Sequence, residues 1–222
     1  MSEKSIWCID TNVLASWILV EGRLLESVVK NSNVPANYAD LYREKYSHDI
    51  TFINLILAAE TSELLKDNEI YIPFLATNEL FSALKDEIIC LKLFEKGDPV
   101  STWPRNKAHQ SLKDGEERLI FETVLRMIDQ LLENGVTIIE DSTDVPHNNF
   151  WDVFASLLLK TENTRTQDVM LLTTSVLNGA DYFVTRDERL IQALKKTMKT
   201  EYDLTRLSSS SALSELKKKI RK

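Results

Sequence analysis

Five short apolar runs constrain this chain more than any other feature. They lie at residues 5–9, 70–74, 136–140, 181–185 and, more weakly, 202–206. Helical spacing fills the intervals: Val13, Leu14, Trp17 and Ile18 share one face, and similar periodicity recurs over 52–65, 78–94, 119–133, 150–159 and from Gln167 onward. Connections of about ten residues or more are crossovers, which join parallel strands. The expected fold is α/β, with three layers (α/β/α) around a central, mostly parallel sheet of four to five strands. Asn134-Gly135 and Asn178-Gly179 read as helix stops, and Thr164 with Gln167 has the spacing of a capping box. A single domain is expected over 1–206, with polar insertions near 31–49 and 95–117. A basic tail or helix follows at 207–222.

Composition narrows the function classes. Basic residues number 27 against 34 acidic, a net charge of −7, which argues against a simple electrostatic nucleic-acid coat. An enzyme that meets a polyanion through bound cations stays open. The two cysteines, Cys8 and Cys90, support neither a disulfide framework nor a multi-cysteine zinc site. No apolar run approaches the roughly 20 residues of a membrane span. Met1-Ser2-Glu3-Lys4 leads into the first strand without an apolar leader, so a cytoplasmic protein is expected.

In an open parallel sheet, functional groups gather beyond the carboxyl ends of the strands. Asp10 directly follows the first strand, Glu79 lies five residues past Phe74, and Asp187 lies two past Thr185. Asp168 opens a helix that is apolar nearly all round, in line with Leu171, Leu172 and Val176. Taken singly, each acid has an ordinary explanation. Asp10 and Asp187 can cap the helices they precede, and Glu79 and Asp168 can complement helix dipoles. Taken jointly, four acids at one sheet edge repel, at about 3 kcal/mol per pair for a separation of ~5 Å and an effective dielectric of ~20. A hard divalent cation relieves that repulsion, and Mg²⁺ or Mn²⁺ suits carboxylates and water better than zinc does. The histidines His48, His109 and His147 stand alone, and no Gly-rich phosphate loop is present.

Three blocks resemble the PIN-domain family of metal-dependent nucleases, which includes many prokaryotic toxin ribonucleases. They are Ile9-Asp10-Thr11-Asn12-Val13-Leu14, Ala76-Thr77-Asn78-Glu79-Leu80, and the run from Asp168 through Gly179-Ala180-Asp181 to Thr185-Arg186-Asp187. The resemblance implies that Asp10, Glu79, Asp168 and Asp187 hold Mg²⁺ or Mn²⁺, with Asp10 and Asp168 as the leading ligands. Asn12 and Thr185 would orient those ligands, and Arg186 would meet substrate beside the ion. A metal-activated water would hydrolyse RNA, single-stranded by preference. If the chain is a toxin, a protein inhibitor or antitoxin and a homodimer are further implied partners. Small toxin-type members are shorter than this chain, and Asp152 competes with Asp168 for the helix-acid role.

Further nucleic-acid contacts are sought in Trp103, Arg105, Lys107 and Lys113, and in the basic run 217–222. A solvated loop and a solubilising tail are the plainer readings of both. The alternative function is a catalytically silent RNA- or protein-binding module of the same fold. A haloacid-dehalogenase-like phosphatase ranks lower, because that chemistry wants an acid at position 12, where Asn stands.

Overall fold

The computed structural model describes residues 4–30, 32–35, 37–58, 67–140, 149–160, 164–193 and 195–220. Five strands, β1 (Ser5–Ile9), β2 (Asn68–Pro73), β3 (Thr137–Ile139), β4 (Tyr182–Val184) and β5 (Thr205–Leu207), form one sheet. Every pairing is parallel, and the order is β3-β2-β1-β4-β5. After β1 come α1 (Thr11–Glu21), α2 (Leu24–Val29), α3 (Tyr38–Lys45) and α4 (Ser47–Leu57). After β2 come α5 (Phe74–Glu95), α6 (Trp103–Asn106) and α7 (Glu116–Glu133). The pair α8 (Asn149–Lys160) and α9 (Thr166–Leu177) precedes β4, α10 (Glu188–Gln192) and α11 (Lys195–Glu201) precede β5, and α12 (Ser209–Ile220) closes the chain.

The strand order explains the layers. From β1 to β3 the chain steps one way across the sheet; after β3 it jumps back over β2 and β1 to add β4 and β5 on the other side. Right-handed crossovers put the helices of the two directions on opposite faces. Contacts agree: α1 packs on α4, α5 and α7, whereas α8 packs on α9 and α9 touches β2. The direction reverses between β1 and β4. That is where the two chains leaving neighbouring strands diverge and a crevice opens.

Trp7, Cys8 and Ile9 in β1, and Phe183 and Val184 in β4, are fully buried because helices cover both faces. Trp7 stacks on Tyr182 at 4.1 Å between ring centroids. Both expected helix stops form. At α7 the N–H of Val136 bonds the Leu131 carbonyl at 3.1 Å around Gly135 (φ 83°), and at α9 Ala180 bonds Ser175 at 3.0 Å around Gly179 (φ 70°). The capping box does not form. Arg165 occupies the N-cap of α9, and its own side chain makes no cap hydrogen bond.

Other boundaries shift. The helix expected over 52–65 begins at Ser47, and 59–65 lie outside the described residues. The stretch 31–49 holds α3 and the first turn of α4, and 95–117 holds short helical turns around α6. The tail is helical and packed, with Ala212, Leu213 and Leu216 buried in the core and α12 against α4. Lys217 and Lys218 stay on its exposed side, while Arg221 and Lys222 lie outside the described residues. Among the described residues no helix is long and apolar enough to cross a membrane.

Phe183 has no exposed surface and sits on the strand adjoining β1. Phe183→Ala is expected to cost about 3–5 kcal/mol, read as a lower urea midpoint with an unchanged m-value. A loss below 1 kcal/mol would show that β4 is not packed as described.

Candidate functional site

Asp10 emerges from β1 at the point where the strand order reverses. Its backbone N–H donates to the Val184 carbonyl at 2.9 Å, which extends the β1–β4 ladder by one residue. Although Asp10 occupies the N-cap position of α1, its side chain does not cap the helix. Instead Oδ2 accepts from the Thr185 hydroxyl at 2.6 Å and from Asn12 Nδ2 at 2.6 Å. The Thr185 Oγ1 also accepts from Asn12 Nδ2 at 3.1 Å and from the Asp187 N–H at 3.0 Å. Asn12 Oδ1 accepts from the Arg186 N–H at 2.9 Å. Asn12 and Thr185, 173 residues apart, thus lock the two diverging chains around one carboxylate.

The other acids arrive from separate elements. Helix α5 starts at Phe74, directly after Pro73 ends β2, so Glu79 lies beyond its first turn and the dipole explanation loses its footing. Its Oε2 accepts from the Thr11 hydroxyl at 2.7 Å. Asp168 sits in the first turn of α9, half-buried above Leu171 and Leu172, which are buried. Asp187 does cap a helix, because its Oδ1 accepts from the N–H groups of Arg189 and Leu190 at 2.8 and 3.2 Å. The competitor Asp152 is exposed on α8 and does not line the cleft.

Asp10, Glu79, Asp168 and Asp187 line one open cleft of about 440 Å³, together with Asn12, Thr11, Asp86 and Arg165. Burial pushes the Asp10 carboxyl up to about 7; the Thr185 hydrogen bond opposes this, and the charges of Asp168 and Glu79 add to it. Burial also raises Glu79, against the Thr11 hydrogen bond, with Asp168 raising it further and Arg165 lowering it. Asp168 is raised by burial, opposed by a backbone hydrogen bond at Arg165, and raised again by Asp187. The cleft therefore gathers like charges that disfavour one another.

This donor set fits a hard divalent cation in kind, since it is rich in carboxylate oxygens and Arg165 is the one cation among its described lining residues. Among the described residues, no three His, Cys, Asp or Glu side chains stand close enough together to share an ion. Mg²⁺ does not require three, because it keeps several waters and is held through one or two carboxylates plus substrate phosphate. The fit is to a hydrated ion rather than to a closed cage.

Arg186 is turned elsewhere. Its Nη1 donates to Ser16 Oγ and to Asp49 Oδ2 at 3.2 Å, its guanidinium lies over the Tyr46 ring at 4.1 Å, and it does not line the cleft. Asp49 is 4% exposed and also accepts from Ser209 at 2.6 Å, so the pair ties the loop after β4 to α4 and α12. The cleft cation is Arg165, which sequence reading passed over; its place three residues before Asp168 was the available signal. Trp103 donates to the Asp98 carbonyl at 2.8 Å, and Lys113 lines a different cavity. Lys107 pairs with Asp86 on the cleft wall at 3.0 Å.

No protein-family model, curated protein or solved structure matches the chain in comparison with known proteins.

A carboxyl whose pKa is higher folded than unfolded binds its proton more tightly in the native state, so stability falls as pH rises between the two values. For Asp10 that window runs from about 4 to about 7. Without divalent ions, the protein is expected to lose stability across it, and Asp10→Asn, which retains an oxygen acceptor for Thr185, to flatten the profile. Urea midpoints across this range check it. Equal slopes in both proteins would contradict the buried, charge-crowded Asp10.

Proposed function

We propose that the chain is a PIN-like nuclease that uses Mg²⁺ or Mn²⁺ to hydrolyse phosphodiester bonds of single-stranded RNA. One observation carries the reading: Asp10, Glu79, Asp168 and Asp187, from four separate elements, line a single cleft at the strand-order reversal together with Asp86, and Arg165 is the one cation among its described lining residues. The resemblance of the Asp10, Glu79 and Asp168–Asp187 blocks to that family supports it further.

Asp10 and Asp168 would hold the ion. A bound Mg²⁺ or Mn²⁺ supplies Lewis acidity toward a phosphoryl oxygen and lowers the pKa of a bound water. Asn12 and Thr185 fix the rotamer of Asp10 through the two 2.6 Å bonds to Oδ2. Thr11 fixes Glu79, whose raised pKa suits a carboxylate that takes up a proton. Asp187 spends one oxygen on the start of α10, which holds its other oxygen in place. Arg165 offsets the charge of an entering phosphate. Arg186 acts behind these groups, bracing the Thr185–Asp187 turn against Asp49 and Ser16.

A silent binding module is the second reading. The spacing of the acids favours it, since no three of the described ones stand at single-ion distance. Cleavage separates the two. With Mg²⁺ or Mn²⁺, wild-type protein is expected to cut single-stranded RNA faster than duplex RNA or DNA. Asp168→Asn should lower the rate by about 100-fold or more with the circular-dichroism spectrum retained, because even outer partners of metal ligands cost roughly 10–100-fold. Undiminished cleavage by the variant would overturn the assignment. RNA that binds yet stays intact with every divalent ion favours the silent module.

A further inference from the structure

The acid cleft is not closed on the side of α10. Asp168, Asp187 and Arg165 also line an adjoining cavity of about 330 Å³, whose other described lining residues are Thr164, Arg189, Leu190 and Ala193. The two cavities share an acidic partition, and the far side of the second carries Arg189, exposed at the surface. Arg206 of β5, 7% exposed, is bonded to the backbone of two of these wall residues. The Arg206 Nη1 donates to the carbonyls of Leu190 and Ala193, and its Nη2 has no hydrogen-bond partner. A buried guanidinium held by backbone carbonyls alone keeps its charge largely uncompensated, and low dielectric carries that field into the neighbouring cavity.

Resting on the nuclease reading, we infer that this second cavity is a phosphate subsite. In it Arg165 and Arg189 take the phosphodiester next to the scissile one, with the Arg206 charge bonded to the backbone of its wall. A strand leaving the acid cleft must pass Asp168 and Asp187, which repel its next phosphate. Cations immediately beyond that partition offset the repulsion and give the strand a path. The substrate class is accordingly a chain of at least two consecutive phosphodiesters rather than a free nucleotide, whose single phosphate fills the acid cleft and leaves the second cavity empty. Arg189 touches only the flanking phosphate, so it acts through binding and register.

Binding of a short fluorescein-labelled oligouridylate, followed by anisotropy between about 50 and 200 mM salt without divalent ions, tests this. Arg189→Ala should weaken affinity about fivefold at low salt and reduce the salt slope by about 0.7, the share of one contact on a single strand. Arg189→Lys, which keeps the charge, should restore the slope, and Arg118→Ala, whose side chain is 83% exposed on α7, should change neither quantity. Wild-type binding with the same affinity and slope in Arg189→Ala sinks the subsite and leaves the nuclease reading standing. Wild-type protein that binds no oligonucleotide under these metal-free conditions sinks the subsite, and RNA cleavage with Mg²⁺ or Mn²⁺ decides the nuclease reading separately.

Discussion

The Thr185 hydroxyl donates to the Asp10 carboxylate at 2.6 Å across the seam between β1 and β4, and the remainder of the site is arranged around that contact. It exists because the chain reverses direction there. Helices launched from β1 and β4 go to opposite faces, which leaves the ends of the two central strands uncovered and close together. Trp7, Cys8, Ile9, Phe183 and Val184 anchor both strands with no exposed surface, so the carboxyl ends inherit the rigidity of the core. Asn12 then bridges to both strand ends, and the Arg186–Asp49 pair secures the turn from behind against α4 and α12. A site on strand ends and helix starts holds its geometry better than one on free loops.

The cost of this arrangement is electrostatic. Asp10 is 6% exposed and faces the charges of Asp168 and Glu79, and burial alone pushes it well above an ordinary carboxyl. A fold optimised for stability would place Asn or Ser there. Retaining an acid makes sense where a cation or a proton completes the balance. Arg165 supplies part of it, lowering both Glu79 and Asp168, yet among the described lining residues one guanidinium faces four carboxylates besides Asp86, which Lys107 pairs. The proposed nuclease chemistry follows from that imbalance together with the family resemblance.

What the sequence made legible was local or periodic. The strand at 5–9 coincides with β1, the two Asn-Gly stops close α7 and α9, and the mostly parallel sheet expected from crossover lengths is parallel throughout. The four acids could be placed at one edge because the parallel-sheet rule converts chain position into spatial position. Features that depend on tertiary partners were not legible. Nothing near Asp49 in the sequence marks it as the partner of Arg186, 137 residues away, so Arg186 read as a cleft cation. The early start of α5 hinges on Pro73 serving as both strand end and helix N-cap, which apolar periodicity does not register. Strand β5 begins at Thr205, not 202, because Asp203 turns the chain with φ 53°. The capping-box spacing at Thr164 misled for a related reason: Arg165 holds the N-cap, one residue later.

An anomalous-difference map from a crystal soaked in Mn²⁺ tests the central claim most directly, because it locates the ion without reference to activity. The account predicts a peak in the cleft bounded by Asp10, Glu79, Asp168 and Asp187, with at least one oxygen of Asp10 or Asp168 at about 2.0–2.3 Å, as hard-ion coordination requires. A well-ordered cleft that stays empty at millimolar Mn²⁺, or a peak held by other residues while these carboxylates keep their present partners, would contradict it.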